Sequence, residues 1–155
     1  MEREKPTPQM LYAQKPKTPA SAAQGGSGSV IMADDESILR DMGSQMLKRL
    51  GYEPLIASDG IEAVSIVRDF QAQGKEHALV CAILDLKMPG MDGLEALQEI
   101  KKLCPDLPVL IISGYPEETT AELPEGAKPQ AFIFKPFDFK TLAGLLKTHA
   151  RSVSC

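Results

Sequence analysis

The chain has no tryptophan, only three cysteines and two histidines, and aromatic residues make up just 5% of its 155 positions. Cys81, Cys104 and Cys155 are an odd number without metal-type spacing, and His77 and His149 lie far apart, so neither a disulfide framework nor a zinc site is expected. Cys81 sits in an apolar run and reads as a small buried hydrophobe; free thiols suit a reducing cytoplasm. No apolar run approaches the roughly 20 residues of a membrane-spanning helix, and no secretory signal opens the chain, so no membrane contact is expected. Lysine and arginine number 17 against 21 acidic residues, for a net charge of −4, and no basic cluster exceeds two residues. That excludes the basic stripe of a nucleic-acid binder.

What is present is one domain's worth of soluble composition, with 43% apolar and 25% charged residues. Residues 1–28 carry Pro6, Pro8, Pro16 and Pro19, end in Gly25-Gly26-Ser27-Gly28, and have a net charge of +2. This is the composition of a flexible linker or tail, too poor in apolar surface to order itself. The remainder carries −6. A folded domain over 29–151 and a short tail over 152–155 are expected, which leaves no room for an output module on this chain. An acidic domain that handles an anion needs a cation to help it.

From residue 29 onward strand and helix signals alternate. Val30 to Ala33 is a short apolar run stopped by Asp34-Asp35. Ile38, Leu39, Met42, Met46, Leu47 and Leu50 then recur at helical spacing up to Gly51. Pro54 to Ala57 reads as a second strand, and Asp59-Gly60 starts a helix carrying Ile61, Val64, Val67 and Phe70. Leu79 to Leu84 is wholly apolar, as a strand covered on both faces of a parallel sheet would be. Gly93 opens a helix through Leu94, Leu97, Ile100 and Lys101, which Cys104 closes. Pro108 to Ile112 is a fourth strand; residues 116–130 allow one short acidic helix; Ala131 to Phe134 is a fifth strand; and Asp138 caps a last helix through His149. Five strands alternating with five helices imply a doubly wound α/β fold with a five-stranded parallel sheet.

In such a sheet ligands bind beyond the carboxyl ends of the strands, near the switch in strand order. The residues there are Asp34, Asp35, Asp85, Ser113 and Lys135. Two unit charges about 5 Å apart repel by roughly 3 kcal/mol at an effective dielectric near 20, so clustered acids call for a divalent cation. Mg²⁺, or Mn²⁺, takes carboxylate oxygens and keeps positions open for a phosphate. An aspartate can accept a phosphoryl group as a covalent acyl phosphate, and Asp85, ending the most buried strand, is the candidate. Asp34 and Asp35 would hold the metal, while the Ser113 hydroxyl and the Lys135 ammonium would meet phosphoryl oxygens. Taken singly these residues have plainer readings: Asp-Asp as a helix cap, Glu36 as a favourable charge at a helix start, Asp92 as a cap, Ser113 as a loop hydroxyl, Phe132 as core. Only their joint placement at strand ends points to chemistry.

Val30-Ile31-Met32-Ala33-Asp34-Asp35-Glu36, Leu84-Asp85-Leu86-Lys87-Met88-Pro89-Gly90-Met91-Asp92-Gly93, Ile112-Ser113-Gly114 and Phe134-Lys135-Pro136-Phe137 together resemble the receiver domains of bacterial two-component signalling, over about residues 29–150. The resemblance implies a flavodoxin-like (βα)5 receiver fold with Asp85 as phosphoacceptor. It also implies Asp35 and Asp85 as metal ligands, Asp34 beside them, the Lys87 backbone carbonyl completing the set, and a cis bond before Pro136. Phe132 matches the switch aromatic whose rotamer follows Ser113. The implied partners are a histidine kinase or a histidine phosphotransfer protein, with a weak homodimer also expected. The implied protein is not an enzyme: it is either a stand-alone receiver or the receiver of a hybrid histidine kinase. Two departures stand out. Gly126-Ala127 lies two residues further from Lys135 than the family turn it matches, with Pro129 between, and Lys87 and Tyr115 occupy positions that tune dephosphorylation.

Other classes fit less well. An aspartyl phosphatase wants an acid two residues after its nucleophile, where this chain has Lys87. A flavin carrier wants a Gly/Ser/Thr loop after its first strand, where Asp34-Asp35 would repel the phosphate. A degenerate receiver, acting as a phosphorylation-independent interaction module, is the alternative within the family.

Overall fold

Alternation along the chain becomes two helical layers around one sheet. A computed structural model describes residues 27–114 and 127–153. Its elements are β1 (Ser29–Ala33), α1 (Ser37–Arg49), β2 (Glu53–Ala57), α2 (Gly60–Ala72), a single 3-10 turn (Glu76–Ala78), β3 (Leu79–Asp85), α3 (Gly93–Leu103), β4 (Val109–Ser113), β5 (Ala131–Phe134) and α4 (Phe139–His149). Most of the sequence-read linker 1–28, the 116–126 part of the weak stretch, Tyr115 and Cys155 lie outside the described residues. Among the described residues, no helix is long and apolar enough to cross a membrane.

All strands pair in parallel, in the order β2-β1-β3-β4-β5. The chain leaves β1 for one neighbour, then crosses back to place β3 on its other side. The switch in direction therefore falls between β1 and β3.

Side chains alternate across each strand and build a core on both faces. Ile31, Ala33 and Leu84 meet Ala63, Val64 and Val67 of α2 and Ala96, Leu97 and Ile100 of α3. Val30, Met32 and Ile83 meet Leu47 of α1 and Leu142 and Leu146 of α4. Every residue of β3 is buried, as befits the middle strand.

Helix starts are set locally. Asp59, Asp92 and Asp138 each accept the backbone N–H three residues on, and Glu95 returns a bond to the Asp92 amide to complete a capping box. Cys104 ends α3, and Gly51, at φ +95°, follows the end of α1. The α1 stripe differs from the sequence reading, because Ile38 and Met42 are exposed, as is Ile61 of α2. Gly43 is the reason on α1: a Cβ there would lie 2.1 Å from the Met32 sulfur. The helix rests on that bare glycine and on Leu47, which turns Ile38 and Met42 outward.

Candidate functional site

β1 and β3 are neighbours, so the acids at their carboxyl ends, Asp35 just past β1 and Asp85 closing β3, 50 residues apart in sequence, meet at one sheet edge. The ladder with β2 runs one residue past β1, since the Asp34 amide donates to the Ala57 carbonyl at 3.1 Å. Asp34 is only 1% exposed. Its Oδ1 accepts the Glu36 amide at 2.9 Å, and the Arg40 guanidinium donates to its carbonyl at 2.8 Å. Its Oδ2 is buried and accepts no hydrogen bond among the described residues.

Asp85 is the last residue of β3, opposite Ile112 of β4, and is 4% exposed. The following loop folds back tightly, with the Gly93 amide donating to the Leu86 carbonyl at 2.9 Å. A Cβ on Gly93 would fall 2.4 Å from the Asp85 carbonyl oxygen, so only glycine lets α3 begin this close to the strand end. Gly90 takes φ +77° within the same loop. Ser113, fully buried, ends β4, and its carbonyl accepts the Lys135 amide at 2.9 Å. The Lys135–Pro136 peptide bond is cis.

From that position the Lys135 ammonium reaches 3.3 Å from Asp85 Oδ2, 3.9 Å from Asp34 Oδ2 and 3.8 Å from Glu36 Oε1. Oxygens of Asp34, Asp35 and Asp85 lie within 4.8 Å of one another. A cavity of about 320 Å³ opens over them, walled by Asp35, Glu36, Asp85, Lys87, Gly114 and Lys135 among others. Phe132 lies apart from it, packed partly buried against the core on the α2–α3 face.

The electrostatics follow from crowding. Burial, reinforced by the Asp34 charge and opposed by Lys135, pushes the Asp85 carboxyl up to about 6. Burial likewise raises Asp34, against the Glu36 amide and Lys135. Burial works against the Lys135 ammonium, but Asp85, Asp34 and Glu36 outweigh it and hold the group above its ordinary value. Hard oxygen donors, an orphaned buried carboxylate oxygen and an excess of negative charge make a donor set that fits Mg²⁺ or Mn²⁺.

The sequence reading missed two contacts. Glu36, read there as a helix-start charge, also pairs with Lys135, and Arg40 turns back to the acidic loop. The only sequence signal for Arg40 is a cation in the first turn of a helix, where the backbone dipole disfavours it.

A family model for the response regulator receiver domain matches residues 30–147. Among curated proteins, the sensor kinase CckA of Brucella abortus is 35% identical over 138 residues, which are 88% of this chain and 14% of that protein. The DNA-binding transcriptional regulator NtrC of a Bradyrhizobium species is 35% identical over 116 residues, 75% of this chain and 23% of that protein. This chain thus spans less than a quarter of the length of either relative. Among solved structures, the receiver domain of the hybrid histidine kinase CckA superposes with a TM-score of 0.64 at 31% identity, covering 80% of this chain and 100% of that one. A receiver domain protein of Clostridium thermocellum gives 0.69 at 26% identity, covering 79% and 93%. With its β2-β1-β3-β4-β5 sheet and its acidic strand-end pocket, the chain belongs to the response regulator receiver domain family of two-component signalling.

Proposed function

We propose that Asp85 is the phosphoacceptor of a phosphorelay, taking a phosphoryl group from a histidine kinase or a histidine phosphotransfer protein, and that the acyl phosphate switches a partner-binding surface. The observation that carries this reading is the meeting of three carboxylates within 4.8 Å with one ammonium 3.3 Å from Asp85. An Asp85 oxygen forms the new bond to phosphorus as the donor's phosphoramidate or acyl phosphate bond breaks, and the leaving group departs with the donor. A carboxylate held up to about 6 is more basic, hence more nucleophilic, than an ordinary one, yet is still ionised at neutral pH.

Asp34, Asp35, Asp85 and the Lys87 carbonyl would hold Mg²⁺ or Mn²⁺, which supplies the positive charge an acidic pocket lacks toward a phosphate. Lys135 already sits against the acceptor carboxylate and exchanges that partner for a phosphoryl oxygen. The Ser113 hydroxyl is the second group for such an oxygen. The modification adds about −1.5 to −2 charges. Drawing Ser113 and Lys135 toward it, with Phe132 following on β5, is the switch in this reading. Mass measurement of the intact chain after treatment with acetyl phosphate and Mg²⁺ tests the assignment. The parent is expected to gain one phosphate and Asp85→Asn none; an Asp85→Asn chain that still gains one would refute it.

A further inference from the structure

Three of the four described helices begin on an aspartate whose carboxylate accepts the N–H three residues on, at 2.8 Å in each case. The exception is α1, the helix that leaves the acidic loop. Its N-cap residue Glu36 makes no side-chain cap, and no acidic side chain occupies its first turn. Instead the fourth residue of α1 is Arg40, a cation at the positive end of the helix dipole, where charge alone disfavours it. Its guanidinium runs back past the helix start and donates to the Asp34 carbonyl at 2.8 Å.

That carbonyl belongs to the peptide unit joining Asp34 to Asp35. The Asp34 amide is held by Ala57 at 3.1 Å and its Oδ1 by the Glu36 amide at 2.9 Å. The Arg40 bond adds the third restraint and sets the plane of the unit from which both carboxylates depart. Two of the three acids in the cluster are thereby aimed by one side chain that does not itself wall the cavity. Glu36, whose own amide is spent on Asp34, replaces the cap with this arrangement.

We propose that Arg40 is a positioning residue for the cation site, an assignment that rests on the phosphoacceptor reading above. The rival role for a nearby cation is simple neutralisation of the acids, and the two roles have opposite signs. If Arg40 aims the carboxylates, removing it weakens Mg²⁺ binding, as loss of an outer partner of a metal ligand does by about 10-fold or more. If it only offsets negative charge, removing it tightens Mg²⁺ binding.

Calorimetric titration of the full chain with Mg²⁺, alongside thermal melts, separates them. Arg40→Met is expected to raise the Mg²⁺ dissociation constant about 10-fold. Arg40→Lys, which keeps a charged donor, is expected to restore most of the affinity. The rate of modification by acetyl phosphate should recover in Arg40→Met at saturating Mg²⁺. Should Arg40→Met fail to fold, Arg40→Gln against Arg40→Lys carries the same contrast. Unchanged or tighter Mg²⁺ binding in the neutral variant, or a lowered melting temperature with unchanged affinity, overturns the role of Arg40 alone. A parent chain that neither binds Mg²⁺ nor gains phosphate overturns the phosphoacceptor reading, and Arg40 with it.

Discussion

The two ends of the sheet treat buried charge in opposite ways. Where the strands start, Lys101, 8% exposed, donates to the Leu107 carbonyl at 2.7 Å and reaches Pro105 O and Gln130 Oε1 at 3.4 Å. Arg151 donates to the carbonyls of Leu79 at 2.7 Å and Glu76 at 2.8 Å. Burial lowers the Lys101 ammonium, but three oxygens accept from it, and Arg151 also reaches the Cys104 sulfur at 3.8 Å; Glu76 Oε1, a buried side-chain oxygen at this end that accepts no hydrogen bond among the described residues, belongs to no group of three acids there. Where the strands stop, Asp34, Asp35 and Asp85 crowd together around one lysine, and a buried oxygen of Asp34 accepts no hydrogen bond among the described residues. A satisfied buried charge stabilises a fold, whereas a crowded and partly unsatisfied one is held in place by the rest of the fold and favours a ligand.

Three substitutions put that contrast to the test. The largest effect is expected from Arg151→Ala, which removes two charge-assisted bonds to strand-start carbonyls at about 1.5 kcal/mol each, for a loss of about 3 kcal/mol in urea unfolding. Mg²⁺ affinity should stay at the parental value; if it fell in step with stability, the two ends would not be independent.

Asp85→Asn is expected to act in the other direction. The folded pKa of about 6 lies above the ordinary 3.8, so the folded chain holds the Asp85 proton more tightly than the unfolded chain. Its ionisation therefore costs stability, fully above about pH 6, and that cost is relieved as pH falls toward 4. In metal-free buffer at pH 7, Asp85→Asn should gain on the order of 2 kcal/mol and flatten the stability profile between about pH 4 and 6. A destabilised Asp85→Asn chain would show that the acidic end is not under electrostatic stress.

The smallest effect belongs to Lys101→Met. The methionine fills similar space but takes the ammonium from the Leu107 and Pro105 carbonyls, while Gln130 Oε1 keeps the Val109 amide at 2.7 Å, at a net cost of about 1 kcal/mol. A gain in stability would mean that desolvation of the ammonium outweighs its bonds.

Much of this layout was legible beforehand because it is written in short stretches. The apolar run at Leu79–Leu84, the Asp59, Asp92 and Asp138 caps, and Asp85, Ser113 and Lys135 at strand ends each need only their neighbours along the chain. The misreadings have the opposite character. Ile38 and Met42 fit a helical stripe but face outward, because the contact of Gly43 with Met32 decides which side of α1 meets the sheet. Lys101 fell on an apolar stripe without any hint that Gln130, 29 residues on, would supply an acceptor.

The alternation of strand and helix, the helix starts and the chemical types available where strands end follow from the order of residues alone, since these depend on periodicity and hydrogen bonds within a turn or two. It took the folded chain to gather residues 34, 35, 85 and 135 into one cluster, with 35, 85 and 135 walling its cavity, while Lys101 and Arg151 are bound at the far end. That outcome depends on strand order: pairing β1 with both β2 and β3 brings together groups 50 residues apart, and no local interaction along the chain specifies such a distance.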